Sequence, residues 1–373
     1  MTMNVTFNPT SSIKTIHEQY ASISTLTTFQ LQSHQSEYTF PWIAVAYIVV
    51  MIIAIPGNFL ILWITLANKS MRLPIHLLVC NLAVAGLLIA LIRIPIRTNQ
   101  LIYPSHQYPF SMSVCRMAQI IPASCVTSIS ITLTAICVER YFNIIYPTNL
   151  KLRMTANKVY LLIFICWVVS TLFWIPYTTF MHIFNINNHT KACLPNWPTQ
   201  PKLDIIIRNQ TTNAIIHHIP FSKLIVWLLF IIFVFLIPAI VMVTLYAIII
   251  KRLWRTPPGH RTMSMSASRS SMSGRRENNL HSENHGLKLK RRVIKICVAC
   301  VILFLLTNFP YYFLLVLLDF HLIQFTDRRS VTVIADILIL LNYTCIAYNA
   351  IIYGYFNKNY RRNAPKWLNL RAK

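Results

Sequence analysis

Charged side chains are scarce in this sequence, 12% of 373 residues against 55% hydrophobic. A chain that apolar is not an ordinary soluble domain and belongs in a membrane. Acids are scarcest of all, 9 Asp and Glu beside 34 Lys and Arg. The net charge of +25 would suit a nucleic acid only if the cations formed one solvated patch, and here they alternate with apolar runs. Internal repeats and intramembrane ionisable relays, the marks of a transporter or channel, are missing too. The acids Glu37, Asp204, Asp319, Asp327 and Asp336 read as clustering outside the membrane.

Metal-ligand spacing is also absent. Most of the nine cysteines (Cys80, Cys125, Cys137, Cys166, Cys297, Cys300, Cys345) fall inside apolar runs. The Cys297/Cys300 pair has no second pair to complete a zinc set, so these read as core thiols. With no nucleophile, phosphate loop or cofactor motif, the sequence indicates no enzyme.

What is present is apolar length in the right measure. A span needs about 20 apolar residues at 1.5 Å rise each. Seven stretches meet that need: 42–67, 74–96, 113–143, 159–181, 222–250, 293–318 and 331–355. The expected fold is an all-α membrane protein, a seven-transmembrane helix bundle with a short amphipathic eighth helix. Pro56, Pro95, Pro122, Pro238 and Pro310 predict kinks rather than breaks, because neighbouring helices can satisfy the carbonyls a proline frees.

Around the spanning core, 41–355, the flanks differ in character. Residues 1–40 are polar and read as a disordered extracellular tail without the apolar segment of a cleaved signal peptide. Within 251–292, a basic Ser-rich stretch over 256–287 is expected to be a disordered cytoplasmic loop. Its Arg261, Arg269, Arg275 and Arg276 beside several serines are candidate kinase sites or a solvated linker. At 356–373, Phe356, Tyr360 and Trp367 among Lys and Arg suit an amphipathic helix lying on membrane lipid.

Orientation follows from the cations in the short flanks. Lys69, Arg72, Lys151, Arg153, Lys158, the run from Lys251 to Lys295 and Lys358, Arg361, Arg362 and Lys366 lie on one side. The usable sequons Asn4, Asn188 and Asn209 lie on the other. The expectation is a plasma-membrane protein with its N-terminus extracellular and its C-terminus cytoplasmic. The sequons at Asn68 and Asn342 would fall in the cytosol and the membrane and are discounted.

The stretch Ser128 to Pro147 starts apolar and ends on Glu139-Arg140. An arginine at a bilayer centre costs roughly 2.5–3.5 kcal/mol on insertion scales, so this pair belongs at a helix mouth. Spacing alone fits a snorkelling interface pair equally well. Glu139-Arg140-Tyr141, followed by Ile144 and Pro147, resembles the Asp/Glu-Arg-Tyr signature of rhodopsin-like (class A) G-protein-coupled receptors. Other markers follow in order from about 41 to 370: Gly57-Asn58, Asn81-Leu82-Ala83, Trp167, Pro238, Tyr246, Phe304, Pro310, Asn349 and Tyr353.

The resemblance implies a receptor that binds an extracellular ligand and activates a heterotrimeric G-protein. It implies a disulfide between Cys115, which opens the third span on the exterior side, and Cys193 in the second outer loop. It places G-protein coupling and switching on Glu139, Arg140, Tyr141, Tyr246, Asn308, Pro310, Asn349 and Tyr353. Three departures qualify this. Gly86 and Ile129 replace the aspartate and small hydroxyl of a sodium site, so no sodium is expected. Thr307-Asn308-Phe309-Pro310 lacks the sixth-helix tryptophan, and Asn349-Ala350-Ile351-Ile352-Tyr353 lacks the seventh-helix proline. The switch is then rewired through Asn308 or impaired, which leaves a ligand-binding receptor with altered or no signalling as the alternative.

The ligand class follows from single positions. Amine receptors carry an aspartate where this chain has Pro122, and opsins a lysine where it has Tyr343. By contrast, Lys290–Lys295 resembles the sixth-helix entry of peptide receptors, and Cys193-Leu-Pro-Asn-Trp-Pro198 resembles the loop of receptors for amidated peptides of the neuropeptide FF and neuropeptide Y type. The candidate ligand-binding set is Asp319, Asp336, Arg93, Arg97, Trp197, Tyr311 and Tyr312. Asp319, nine residues beyond Pro310, matches the aspartate that pairs a peptide arginine in those receptors.

Overall fold

The computed structural model describes residues 41–102, 111–187, 190–198, 202–209, 212–255, 273–319 and 328–365. Among these, seven helices are long and apolar enough to cross a membrane. Helix α1 is Pro41–Ala67. Helix α2 runs Pro74–Leu88, loosens into a π-helical turn over Ile89–Arg93 and continues as Ile94–Ile102. Helix α3 is Met112–Ile145, and α4 is Ala156–Thr179. Helix α5 comprises Phe221–Phe230, a π-helical turn Ile231–Leu236 and Ile237–Arg255. Helix α6 is Ser273–Asp319; α7 is Arg328–Ile351 with a π-helical end Ile352–Phe356, and a short α8 spans Lys358–Asn363.

Burial ranks the helices. In α3, 72% of the spanning window is buried, against 22% in α1, α4 and α5, so α3 is the central post. The outer faces of α4 carry exposed Leu161, Phe164 and Leu172, which suits contact with lipid rather than water.

The prolines lie inside continuous helices, and two of the carbonyls they orphan find identifiable donors. Pro238 cannot donate to Val234, and the Ser130 hydroxyl donates to the Val234 carbonyl at 2.6 Å. Pro122 likewise frees the Ala118 carbonyl, which accepts from Arg93 at 3.4 Å. The π-helical turns immediately precede Pro95 and Pro238, where a wider turn relieves the ring's clash with the preceding carbonyl.

Polar side chains fasten helix to helix. Asn58 donates to Ala54 O at 2.8 Å within α1 and to Ile346 O at 3.0 Å on α7. Asn81 donates to Ser128 and Thr132 on α3, at 3.1 and 2.8 Å, and accepts from the Trp167 indole on α4 at 2.7 Å. The sequence marks Asn58, Asn81 and Trp167 are thus the joints of α1 to α7 and of α2, α3 and α4. Gly57 lets α7 approach, since a Cβ there would meet Ala350 Cβ at 2.8 Å.

Two antiparallel hairpins separate α4 from α5: β1 (Met181–Asn187) with β2 (Thr190–Pro195), and β3 (Lys202–Asn209) with β4 (Thr212–Pro220). Their presence was not anticipated. The other difference lies in α6, whose backbone is helical from Ser273, whereas an irregular loop was expected through 287. Arg275, Arg276, Glu277, Leu280 and Glu283 are good helix formers, and a helix already formed in the membrane extends by one hydrogen bond per added residue without a new nucleus. Residues 256–272 and 366–373, which hold the rest of that loop and of the expected amphipathic tail, lie outside the described residues.

Helix α8 is a turn and a half, capped where the Asn357 side chain accepts from Asn359 N at 3.0 Å. Tyr360 is buried with its hydroxyl 3.2 Å from that of Thr65 on α1. Burial raises its phenol above the ordinary range while the Thr65 contact opposes the rise, so the ring stays neutral. Its edge meets His76 on α2 with ring centroids 5.4 Å apart.

Candidate functional site

Two polar clusters lie at opposite ends of the bundle, joined by an aromatic and amide column. The first is at the Cys115 end. Cys115, fully buried at the start of α3, is disulfide-bonded to Cys193 in β2, so the β1–β2 hairpin is fixed over the helix ends. Arg97 on α2 forms a salt bridge with Asp336 on α7. One turn earlier, Arg93 donates from Nε to the Tyr343 hydroxyl at 3.0 Å. The Tyr343 ring lies 6.2 Å from Tyr47 of α1.

The candidate ligand residues divide on this geometry. Arg93, Arg97 and Asp336 converge, but Arg97 and Asp336 satisfy one another. Asp336 was read with the acids outside the membrane; it lies within the seventh span and is 5% exposed. Burial is tolerable there because the guanidinium of Arg97 pairs it. Trp197 is buried against α4, its ring 5.7 Å from Tyr177 and 5.1 Å from Phe180, and Asn196 N donates to Phe180 O at 2.7 Å. That packing holds the hairpin's exit in place. Tyr311 and Tyr312 pack together at 4.9 Å, with Tyr312 also 4.6 Å from Phe230. The side chain of Asp319, the last residue of α6, lies outside the described part, as does that of Asn209; Asn4 and Asn188 are not among the described residues.

The column descends through Tyr312, Phe235 and Phe304, with centroid separations of 5.1 and 6.1 Å. Beside it, the fully buried Asn308 on α6 accepts from the Asn342 amide on α7 at 2.8 Å and donates to Phe304 O at 2.7 Å. Thr307 and Tyr348 meet at 3.4 Å. Asn308 is thus buried between α6 and α7, and its partner Asn342 was discounted as a sequon. Helical spacing held the signal: Asn342, Ile346, Asn349 and Tyr353 recur every three or four residues, which marks the face turned toward the bundle.

At the sodium position, a Cβ on Gly86 would stand 3.0 Å from the Asn58 amide nitrogen and 3.1 Å from its oxygen. A larger side chain at Gly86 would therefore press on Asn58, and Ile129 is buried.

The second cluster is at the Arg140 end. Glu139 is buried, its Oε2 3.3 Å from Arg140 Nε, and Asn143 donates to its Oε1 at 2.5 Å. Cys297 of α6 lies against Arg140 and Tyr246, and Cys300 beside Tyr353. The Cys-x-x-Cys read as core thiols is buried, and its place is between Arg140 of α3, Tyr246 of α5 and Tyr353 of α7. Pro310 lies within α6. Tyr141 faces Tyr146 with centroids 6.0 Å apart. Arg291 closes α5 onto α6, donating to Leu253 O at 2.7 Å and lying 5.4 Å over the Trp254 ring.

Seven membrane-spanning helices around a central α3, a disulfide pinning a hairpin at one end and a Glu-Arg pair at the other define a seven-helix membrane receptor. The chain belongs to the 7 transmembrane receptor (rhodopsin family), whose family model matches residues 57–353. It is similar to the QRFP-like peptide receptor of Branchiostoma floridae, 24% identical over 88% of this chain and 77% of that one. Neuropeptide FF receptor 1 of Rattus norvegicus is 25% identical over 91% of this chain and 73% of its own length. The Neuromedin-K receptor of Oryctolagus cuniculus is 27% identical over 87% of this chain and 61% of its own.

Proposed function

We propose that this chain is a cell-surface receptor for an extracellular neuropeptide, and that it activates a heterotrimeric G-protein through its Arg140 end. The observation that carries the reading is the Asn308–Asn342 bond, which lies between the Arg93/Arg97/Asp336 cluster and the Glu139–Arg140 pair. A polar contact between α6 and α7 is where movement at one end can be passed to the other, because packed helices hold discrete arrangements rather than deforming continuously. Relatives named for QRFP-like peptide, neuropeptide FF and neuromedin-K favour a peptide as ligand. The distribution of Lys and Arg supports a Cys115 end outside and an Arg140 end in the cytoplasm.

In this reading Asp319, at the outer end of α6, receives a cationic group of the peptide, and Asn4, Asn188 and Asn209 carry glycans. The Arg140 guanidinium, held by Glu139 at rest, is released toward Tyr246, Tyr353 and the G-protein. A panel of amidated peptides applied to cells expressing the receptor, read by calcium and cAMP, tests the proposal. A saturable response is expected from at least one arginine-bearing peptide, and Asp319→Ala should weaken it far more than Asp327→Ala. Silence across the panel, or equal loss in the two variants, would count against it.

A further inference from the structure

The Cys115 end holds more hydrogen-bond donors than it can use. Arg93 and Arg97 stand one turn apart on α2, and among the described residues the only carboxylate paired with either is Asp336, which Arg97 takes. Arg93 reaches only neutral acceptors there, the Tyr343 hydroxyl at 3.0 Å and the Ala118 carbonyl at 3.4 Å. A guanidinium offers five N–H donors and no acceptor. Tyr47 is fully buried within electrostatic range of Arg97, Asp336 and Arg93, yet its hydroxyl has no partner. Arg97 Nε and the Thr98 hydroxyl are also buried without one.

Two guanidiniums and one carboxylate leave this cluster with an excess of one positive charge, and its unused groups are N–H and O–H. A buried charge of that kind is favourable only when an opposite charge completes it. A carboxylate fits best, because its two oxygens match the planar guanidinium fork and its single charge matches the single excess.

We propose that the cluster between α1, α2 and α7 is a carboxylate-binding subsite, with Arg93 as the counter-ion and Tyr47 a further donor. This rests on reading the chain as a receptor whose Cys115 end faces outward. The carboxylate belongs to a free C-terminus or an acidic side chain of the ligand. The Arg97–Asp336 pair, one turn nearer the Cys115 end, keeps the second guanidinium occupied and leaves Arg93 as the cation without a carboxylate.

The test uses the full chain in lipid nanodiscs and follows its thermal unfolding midpoint against N-acetylphenylalanine and, separately, its neutral amide. The carboxylate should raise the midpoint saturably and the amide should not. Arg93→Gln should weaken the carboxylate by on the order of 30-fold or more, the usual consequence of removing one partner of a desolvated charge pair. Tyr47→Phe should weaken it as well, and decides the matter by itself if Arg93→Gln does not fold. The subsite is overturned if the carboxylate shifts nothing, if the amide does as well, or if both variants bind like the wild type. Nucleotide exchange by a G-protein is measured on the same nanodiscs. A carboxylate shift without any exchange would support the subsite while counting against coupling.

Discussion

Replacing Asn308 and Asn342 with leucine, singly and together, isolates the bond between α6 and α7. Both residues are buried, at 0% and 1% exposure, and the Asn342 amide donates to Asn308 Oδ1 at 2.8 Å. Interhelical hydrogen bonds in membranes average about 0.6 kcal/mol and reach about 1.7, while a buried polar group left unpaired costs about 1–3 kcal/mol. Asn308 also donates to Phe304 O at 2.7 Å, so Asn342→Leu strands the Asn308 oxygen and not its amide. Each single variant should therefore lose about 1–2 kcal/mol, and the double variant should lose no more than the worse single. The coupling energy from this four-protein cycle, measured by detergent-driven unfolding in bicelles, should then equal at least the smaller single loss, about 1 kcal/mol or more. If the bond holds the resting arrangement, basal nucleotide exchange should rise in both singles. Strictly additive losses with unchanged basal exchange would refute the reasoning.

Other outcomes follow from single contacts. Gly57→Val should lower the unfolding midpoint by the equivalent of about 1–3 kcal/mol, because even the Cβ would meet Ala350 Cβ at 2.8 Å. Gly86→Asp should destabilise without introducing sodium-dependent stability, and a sodium-raised midpoint in that variant would show that Asn58 does not crowd the site. Cys115→Ala should cost about 2–4 kcal/mol and reduce surface expression, since the bridge to Cys193 closes a loop of sequence separation 78; normal surface levels would contradict this.

Most of the fold could be read from the residues because its cause is local. Apolar length sets each span, the prolines lie inside helices, and Asn58, Asn81 and Trp167 stand where the bundle needs joints. What escaped depends on partners far apart in the chain. Arg97 and Asp336 are separated by 239 positions and carry no periodic sign of one another, so each looked free for a ligand. The hairpin Lys202–Pro220 depends on register between Ile205–Ile207 and Ile215–His217, which strand-like composition does not specify. Cys297 and Cys300 were identified as core thiols, yet their position beside Arg140, Tyr246 and Tyr353 depends on how α6 is rotated.

The most direct test of the receptor account is GDP–GTP exchange on a purified heterotrimeric G-protein, driven by the wild-type chain and by Arg140→Ala in identical nanodiscs. With an activating peptide, the wild type should accelerate exchange and Arg140→Ala should not, while peptide affinity changes by no more than the coupling term of ~1–3 kcal/mol. Equal exchange by the two proteins would contradict the account, because the Glu139–Arg140 pair would then have no part in transmitting the signal.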